Sequence, residues 1–96
     1  MVGGLKIVQV KAGREAEFEG MFAELRSVMR AKEPGCLLYS LLRSRERKGA
    51  YLVHEQYRDQ AALDEHQKSP HGAAYFSRMR AVIESVSVEY LDGVVP

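Results

Sequence analysis

The middle of the chain carries side chains that could move a proton and stabilise negative charge. His66 and His71 lie five residues apart, and Glu55 and Tyr57 precede them. A histidine changes protonation near neutral pH and often serves as a general base. A second imidazole or a phenol can donate a hydrogen bond to an oxygen that develops negative charge. We therefore predict His66 as the base, with His71 or Tyr57 as the donor.

Aromatic side chains are predicted to form the walls of a small-molecule pocket around these groups. The predicted substrate-binding residues are Tyr39, Glu55, Tyr75 and Phe76. Electron-rich phenols, hydroquinones and anthrones would suit such a pocket, because their anions can pass an electron to dioxygen. The protein would then supply a base, a dry cavity and a hydrogen bond to the developing oxyanion.

Each of these side chains also has a purely structural interpretation. His66 could be half-buried and bonded to a backbone carbonyl, and His71 could pack beneath a helix cap. Glu55 could form a buried ion pair with an arginine, because a carboxylate on an apolar strand face is costly unless it is paired. The tyrosines could be ordinary core residues. Cys36 has no adjacent base in the sequence and is expected to be inert.

Hydrophobic periodicity predicts the elements that must position these residues. Strands are predicted over residues 5–10, 36–42, 50–57 and 85–91, where β-branched and aromatic residues are frequent. A long amphipathic helix follows residue 14 and stops before Pro34, and Asp59 caps a short helix over 60–67. Ser69 and Pro70 start a last helix, with a predicted buried stripe of Tyr75, Phe76, Met79, Val82 and Ile83.

This order predicts an α+β fold of the ferredoxin-like split βαββαβ type, with an antiparallel four-stranded sheet. The chain of 96 residues is expected to form a single domain over 1–96. In such a fold the helices cover one face of the sheet. On the second strand, however, Leu37, Tyr39 and Leu41 are predicted to point one way and Leu38 and Leu42 the other. Because both faces are apolar, we expect a homodimer with sheet packed on sheet.

Composition and motifs exclude several classes of function. A net charge of +1 gives no field for nucleic acid or an anionic membrane. No apolar run approaches the ~20 residues of a membrane helix. No signal peptide is expected, because no charged segment followed by an apolar stretch opens the sequence. One cysteine gives no reason to expect an oxidising compartment, so a cytoplasmic location is expected. A glycine-rich nucleotide loop is missing, and His66 and His71 do not have the i, i+4 spacing of a helical metal site. No cofactor and no metal are therefore expected.

The order of these motifs resembles a known family. Glu33-Pro34-Gly35-Cys36, Tyr39, a strand that ends at Tyr57, and His66 followed by Ser69-Pro70-His71 are similar to the antibiotic biosynthesis monooxygenase (ABM) family. The resemblance implies a dimeric α+β barrel, and some members oxidise quinols or aromatic polyketides without a cofactor.

Two departures from the family pattern qualify what the resemblance implies. Tyr57 stands where the family often has tryptophan, and Phe76 stands where haem-degrading relatives have their iron-binding histidine. Glu33-Pro34-Gly35-Cys36 is interpreted as a helix stop without chemistry.

The resemblance leaves three functions open. The first is a cofactor-independent monooxygenase that oxidises a small quinol or polycyclic phenol. The second is a non-redox isomerase or degradation enzyme for a small hydroxy-ketone signal, since relatives with a His-x-x-Ser/Thr-Pro-His segment act on such molecules. The third is a dimer that binds a small molecule without catalysis. Oxygen dependence separates the first from the second, and any turnover separates both from the third.

Overall fold

The structure, a computed structural model, describes residues 1–95 as one sheet with three helices. The strands are β1 (Val2–Val10), β2 (Cys36–Arg43), β3 (Ala50–Tyr57) and β4 (Ile83–Asp92). The helices are α1 (Glu15–Lys32), α2 (Gln60–Lys68) and α3 (Pro70–Arg80). The strand order is β2-β3-β1-β4 and all pairs are antiparallel. The predicted ferredoxin-like α+β fold is thus confirmed.

Local sequence signals explain where the short helices begin. The Asp59 side chain accepts a hydrogen bond from the Ala62 amide at 2.9 Å, which caps α2. Ser69 caps α3 through the Gly72 amide at 3.1 Å, and Pro70 is the first helical residue. Both predicted caps are therefore confirmed. They matter because α2 carries His66 and α3 carries His71.

The core lies between the helices and one face of the sheet. Its buried residues come from α1, from α3 and the turn after it, and from alternate positions of three strands: Val8, Val10, Phe18, Met21, Phe22, Leu25, Met29, Tyr39, Tyr51, Val53, Met79 and Val82. A second cluster of Tyr57, Ala62 and Leu63 lies beneath α2. The helices cover β2, β3 and β1 more fully than β4, whose Val86 and Val88 stay exposed on the helix side.

The structure differs from the predicted packing in two details. An irregularity between Cys36 and Leu38 shifts the register at Leu37, whose side chain is 58% exposed. Helix α3 ends at Arg80, so Val82 lies in the following turn and Ile83 begins β4. The apolar pattern of the sequence did not distinguish the last turn of α3 from the residues that follow it.

The sheet face opposite the helices carries exposed apolar side chains. Ile7, Leu42 and Leu91 lie on that face and are 55%, 50% and 40% exposed. No helix in residues 1–95 has the length and apolar character needed to cross a membrane.

Candidate functional site

Strand β3 places a carboxylate and a phenol under the helices. Its buried side chains alternate through Val53, Glu55 and Tyr57, and Tyr39 lies opposite Glu55 on β2. Both Glu55 and Tyr57 are fully buried. On the other side Gly4 is the β1 partner of Glu55, and a Cβ at Gly4 would lie only 3.0 Å from Glu55 Cγ. The absence of a side chain at Gly4 thus makes room for the carboxylate.

Helix α2 buries His66 together with Ala62 and Leu63, its neighbours at i−4 and i−3. His66 is only 2% exposed, and its Nδ1 lies 3.0 and 3.1 Å from the two carboxylate oxygens of Glu33. The structural alternative, a bond to a backbone carbonyl, is replaced by this bond to an acidic side chain.

Helix α3 brings His71 to the same carboxylate. His71 lies in the first turn of α3, and its Nε2 bonds Oε2 of Glu33. The Ser69 hydroxyl donates to the His66 carbonyl at 2.7 Å while it accepts from the Gly72 amide. Ser69 therefore joins the end of α2 to the start of α3, and fixes the two imidazoles on either side of Glu33.

Aromatic rings surround the imidazole of His66. The ring centroids of Tyr57, Tyr39 and Phe76 lie 5.5, 5.6 and 5.7 Å from that of His66. The structure thus places three of the predicted site residues around the imidazole of a fourth, His66.

Four buried polar atoms in this region have no hydrogen-bond partner within residues 1–95. They are both carboxylate oxygens of Glu55, the hydroxyl of Tyr57 and Nε2 of His66. Lys6 Nζ lies 3.6 Å from Glu55 Oε2, which is an ion pair but too long for a good hydrogen bond. The partner of Glu55 is thus a lysine rather than the expected arginine. Unpaired buried polar atoms are rare and costly, so such a group points to a site that binds something.

The two phenols near His66 are held in the neutral, hydrogen-bond-donating form. Burial raises the pKa of Tyr57 and of Tyr39 well above the usual range, and the negative charge of Glu55 raises it further. Burial also raises the pKa of the Cys36 thiol to about 11, with a further contribution from Glu33. A thiol with this pKa is a poor nucleophile at neutral pH.

A cavity of about 320 Å³ opens beside this cluster, between the helices and the β4 edge of the sheet. Tyr39 and Phe76 form part of its wall, together with Lys6 and Arg80. Its lining is otherwise mainly apolar and includes three residues of β4: Val86, Val88 and Tyr90. Among residues 1–95 no acidic side chain lines the cavity, although Glu55 lies just behind Lys6.

The remaining predicted site residues lie outside the cavity wall. His66, Tyr57 and Glu55 are buried behind Tyr39, Phe76 and Lys6, and His71 lies beyond them at Glu33. Tyr75 packs against the core from α3, and the Arg78 guanidinium lies 5.3 Å from the centre of its ring. The structure thus separates an apolar cavity from a polar cluster that contacts its wall.

Sequence reasoning missed Glu33, which the structure places at the centre of the polar cluster. Glu33 follows the last residue of α1 and is 7% exposed. The available signal was an acidic residue directly before a proline, in a chain with two histidines that lack an obvious partner. The β4 wall of the cavity was also missed, although Val86, Val88 and Tyr90 alternate along that strand.

The polar cluster does not form a metal site in the part of the chain that the structure describes. In residues 1–95 no group of three or more His, Cys, Asp or Glu side chains is arranged to hold a metal ion. The Glu33 carboxylate lies between the two imidazoles and is bonded to both.

Solved structures with this fold are similar over almost the whole chain. A candidate antibiotic biosynthesis monooxygenase from Caulobacter crescentus CB15 is 35% identical with a TM-score of 0.94, covering 98% of this chain and 90% of that one. Rv0793 from Mycobacterium tuberculosis is 25% identical with a TM-score of 0.87, covering 99% and 96%. A point mutant of SnoaB from Streptomyces nogalater, described as a cofactor-independent oxygenase, is 23% identical with a TM-score of 0.85, covering 99% and 94%.

Among curated proteins, none matches this chain. The family profile described as antibiotic biosynthesis monooxygenase matches residues 1–78, which include α1, the sheet strands β1 to β3, and both histidines of the polar cluster. The resemblance seen in the sequence is confirmed, and the chain belongs to the antibiotic biosynthesis monooxygenase family.

Proposed function

We propose that this protein is a cofactor-independent monooxygenase that oxidises a small quinol or polycyclic phenol with dioxygen. The observation that carries the proposal is the unpartnered Nε2 of His66, buried directly behind the aromatic wall of an apolar cavity. Membership of the family supports the class of reaction, and the Streptomyces nogalater relative is named a cofactor-independent oxygenase.

His66 is the proposed base. Its Nε2 accepts the proton of a substrate hydroxyl or of an acidic ring carbon, which leaves an electron-rich anion. The anion passes one electron to dioxygen, and the resulting substrate radical and superoxide combine to form a peroxide on the substrate. The peroxide takes back the proton held by His66, which gives a hydroperoxide on a substrate carbon that still bears one hydrogen. That C–H bond then breaks together with the O–O bond. Its electron pair forms the C=O bond of the product, and the released proton joins the departing hydroxide to give water. The substrate is the reductant throughout.

Tyr57 is the proposed donor to the oxygen that becomes negative. Its hydroxyl is buried, protonated and without a partner in residues 1–95, whereas His71 Nε2 is already bonded to Glu33. Between the two donors that the sequence suggested, the available hydrogen atom belongs to Tyr57. A donor that is already oriented in a dry site stabilises an oxyanion without reorganisation of solvent.

Phe76 is the proposed gate between the cavity and His66. Its ring contacts His66 on one side and lies on the cavity wall on the other, with Lys6 Nζ 5.1 Å from the ring centre. Because His66 does not line the cavity, a substrate reaches Nε2 when this half-buried ring rotates aside. Tyr39 forms the second aromatic wall, and Glu55 holds Lys6 near the entrance.

A homodimer is part of the proposal. Ile7, Leu42 and Leu91 leave an apolar surface on the sheet face that the helices do not cover. A second copy packed on this face would bury it. We expect sedimentation analysis to give the mass of a dimer, and Leu42→Glu to shift it toward the monomer. A monomeric wild-type protein would contradict this part of the proposal.

Oxygen consumption tests the proposed activity. The purified, metal-stripped protein is supplied with reduced quinols, naphthols and anthrones, and compared with buffer and with His66→Ala. We expect consumption above both controls, with the oxidised product formed in proportion. If a folded protein turns over none of these compounds, the proposed reaction is wrong. Turnover that continues without oxygen would instead favour the isomerase reaction.

A further inference from the structure

One carboxylate lies between the two histidines of the site. Glu33 Oε1 and Oε2 lie 3.0 and 3.1 Å from His66 Nδ1, and Oε2 also bonds His71 Nε2. The side chains of Glu33, His66 and His71 are 7%, 2% and 13% exposed, so water has little access to the three groups. Glu33 is not among the residues that sequence reasoning connected with the reaction.

An ionised carboxylate can only accept hydrogen bonds, so both ring nitrogens that face it must carry the hydrogen. The hydrogen bond made by one ring nitrogen of a histidine sets the state of the other. We infer that Glu33 is a positioning residue that holds His66 in the tautomer with its hydrogen on Nδ1 and its free lone pair on Nε2. This inference rests on the proposed function for the role of His66 as base, and adds what prepares that base.

The choice of tautomer matters because a free neutral histidine prefers the hydrogen on Nε2. In that form Nε2 would be a donor and could not take a proton from a substrate. His66 Nε2 is buried without a hydrogen-bond partner in residues 1–95, so nothing else in its surroundings selects its state. The bond to Glu33 is thus the contact that makes Nε2 an acceptor.

The local sequence holds Glu33 in place. Glu33 caps the C-terminus of α1 with φ −124° and ψ 76°, outside the helical region, as Pro34 after it requires. Gly35 then passes so close to α2 that a Cβ there would lie 2.6 Å from Ala62 Cβ. The turn that ends α1 therefore packs closely against α2, the helix that carries His66.

His71 completes the arrangement from the other side. A carboxylate bonded only by His66 could rotate about its own side-chain torsions. The second bond, from His71 at the start of α3, restrains it, and Ser69 holds α2 and α3 together. The Glu33-Pro34-Gly35 segment, interpreted from the sequence as a helix stop alone, thus also orients the base.

Nitrogen NMR of the imidazole rings tests the inference without any substrate. In the wild-type protein at neutral to mildly alkaline pH, we expect His66 to show a protonated, pyrrole-type Nδ1 and an unprotonated, pyridine-type Nε2. The opposite pattern for His66 would overturn the inference. This measurement requires only the folded protein.

The Glu33→Gln variant sharpens the test. The amide has the same shape, but its NH₂ group donates. In either orientation of the amide, this group replaces one carboxylate oxygen and faces the ring nitrogen of His66 or of His71 that the oxygen had bonded. We expect at least one of His66 and His71 to change tautomer. Glu65→Gln, which removes the same charge from an exposed position beside His66 on α2, should change neither. Unchanged tautomers in a folded Glu33→Gln protein would also overturn the inference.

Kinetics separates this inference from the proposed function. If a substrate is found, Glu33→Gln should lower kcat at least tenfold with little change in KM, because the cavity wall is untouched. A wild-type protein with the expected tautomer but no turnover would reject the monooxygenase and leave the role of Glu33 intact. Turnover with equal kcat in wild type and Glu33→Gln would reject the role of Glu33 and leave the proposed monooxygenase intact.

Discussion

Two clusters on the same face of β3 use similar groups in opposite ways. Near the start of β3, the Tyr51 hydroxyl donates to Glu19 Oε2 at 2.5 Å. Arg43 adds bonds to the same carboxylate at 2.9 and 3.0 Å. The carboxylate, the phenol and the cation of this group are thus all hydrogen-bonded to one another. The group lies at the edge of the core, where Glu19 reaches water.

The second cluster, near the end of β3, also contains a carboxylate, a phenol and a cation. Here Glu55 and Tyr57 are fully buried, yet the carboxylate oxygens and the hydroxyl have no hydrogen-bond partner in residues 1–95. Lys6 approaches only to 3.6 Å.

A protein that can pair such groups at one end of a strand has no structural need to leave them unpaired at the other. The comparison supports a stabilising role for the first cluster and the proposed role of the second in binding or catalysis. The unpaired polar groups of the second cluster lower the free energy of unfolding, and such a cost is typical of a site where function limits stability.

The largest expected difference between the two clusters is in turnover. His66→Ala should lower the rate of quinol oxidation by about 10² to 10⁴, the usual contribution of a general base. Tyr51→Phe should leave the rate unchanged, because Tyr51 does not contact His66 or Tyr57. Steady-state oxygen consumption measures both. An equal loss of rate in Tyr51→Phe and His66→Ala would show that the two clusters do not differ in their contribution to turnover.

The next difference concerns alkaline pH. Burial and the charge of Glu55 raise the pKa of Tyr57 in the folded chain, while unfolded tyrosine ionises near ~10. The stability due to this shift is present below pH ~10 and is lost as pH rises, by up to ~1.4 kcal/mol per pH unit for one tyrosine. Urea unfolding between pH 9 and 11 should show a shallower decline in Tyr57→Phe. Identical slopes in wild type and variant would refute this prediction.

At neutral pH the two tyrosines should differ in the cost of losing the hydroxyl. Tyr51→Phe breaks a hydrogen bond to a carboxylate, which typically costs ~1 to 3 kcal/mol. Tyr57→Phe removes a buried hydroxyl without a partner in residues 1–95, so the free energy of unfolding should stay the same or rise. Paired urea titrations at pH 7 measure both variants. A larger loss in Tyr57→Phe would show that its hydroxyl is paired in solution.

The smallest expected effect is the acid dependence of the paired cluster. The hydrogen bond from Tyr51, and then that from Arg43, lowers the pKa of Glu19. The resulting stability is present above the unfolded value of ~4.3 and is lost as pH falls through the lower folded value. Because Glu19 is about one third exposed, we expect less than ~1 kcal/mol.

Glu19→Gln should reduce the loss of stability between pH 5 and pH 3, and thermal unfolding across that range measures it. Glu84→Gln, at an exposed position of β4, is the matched control. An equal change in both variants would mean that the bonds to Tyr51 and Arg43 contribute nothing specific.

The sequence predicted the fold well because its signals are local. Caps at Asp59 and Ser69, the proline after Glu33 and the alternation along β3 each act over a few residues, and the element order followed from them. The irregularity at Leu37 was not predictable in the same way, since it depends on how β2 pairs with β3.

The candidate site was predicted in part, and the missing part depends on long-range contacts. His66 and its aromatic neighbours were identified by residue type and by position on their elements. Glu33 lies 33 residues before His66, and only the packing of the α1 end against α2 brings the two together. The cavity wall on β4 likewise depends on which part of the sheet the helices leave uncovered.

Ser69 is both the residue after α2 and the cap of α3, so no loop separates the two helices. The junction of α2 and α3 at Ser69, called here the corner, therefore fixes the spacing of His66 and His71. No flexible residues lie between the two helices. Extra residues should be tolerated in the exposed hairpin between β2 and β3, where nothing in the site is attached. A single residue inserted after Ser69 would rotate α3 relative to α2 and separate the imidazoles. Insertion libraries should therefore find that the length of this corner cannot change.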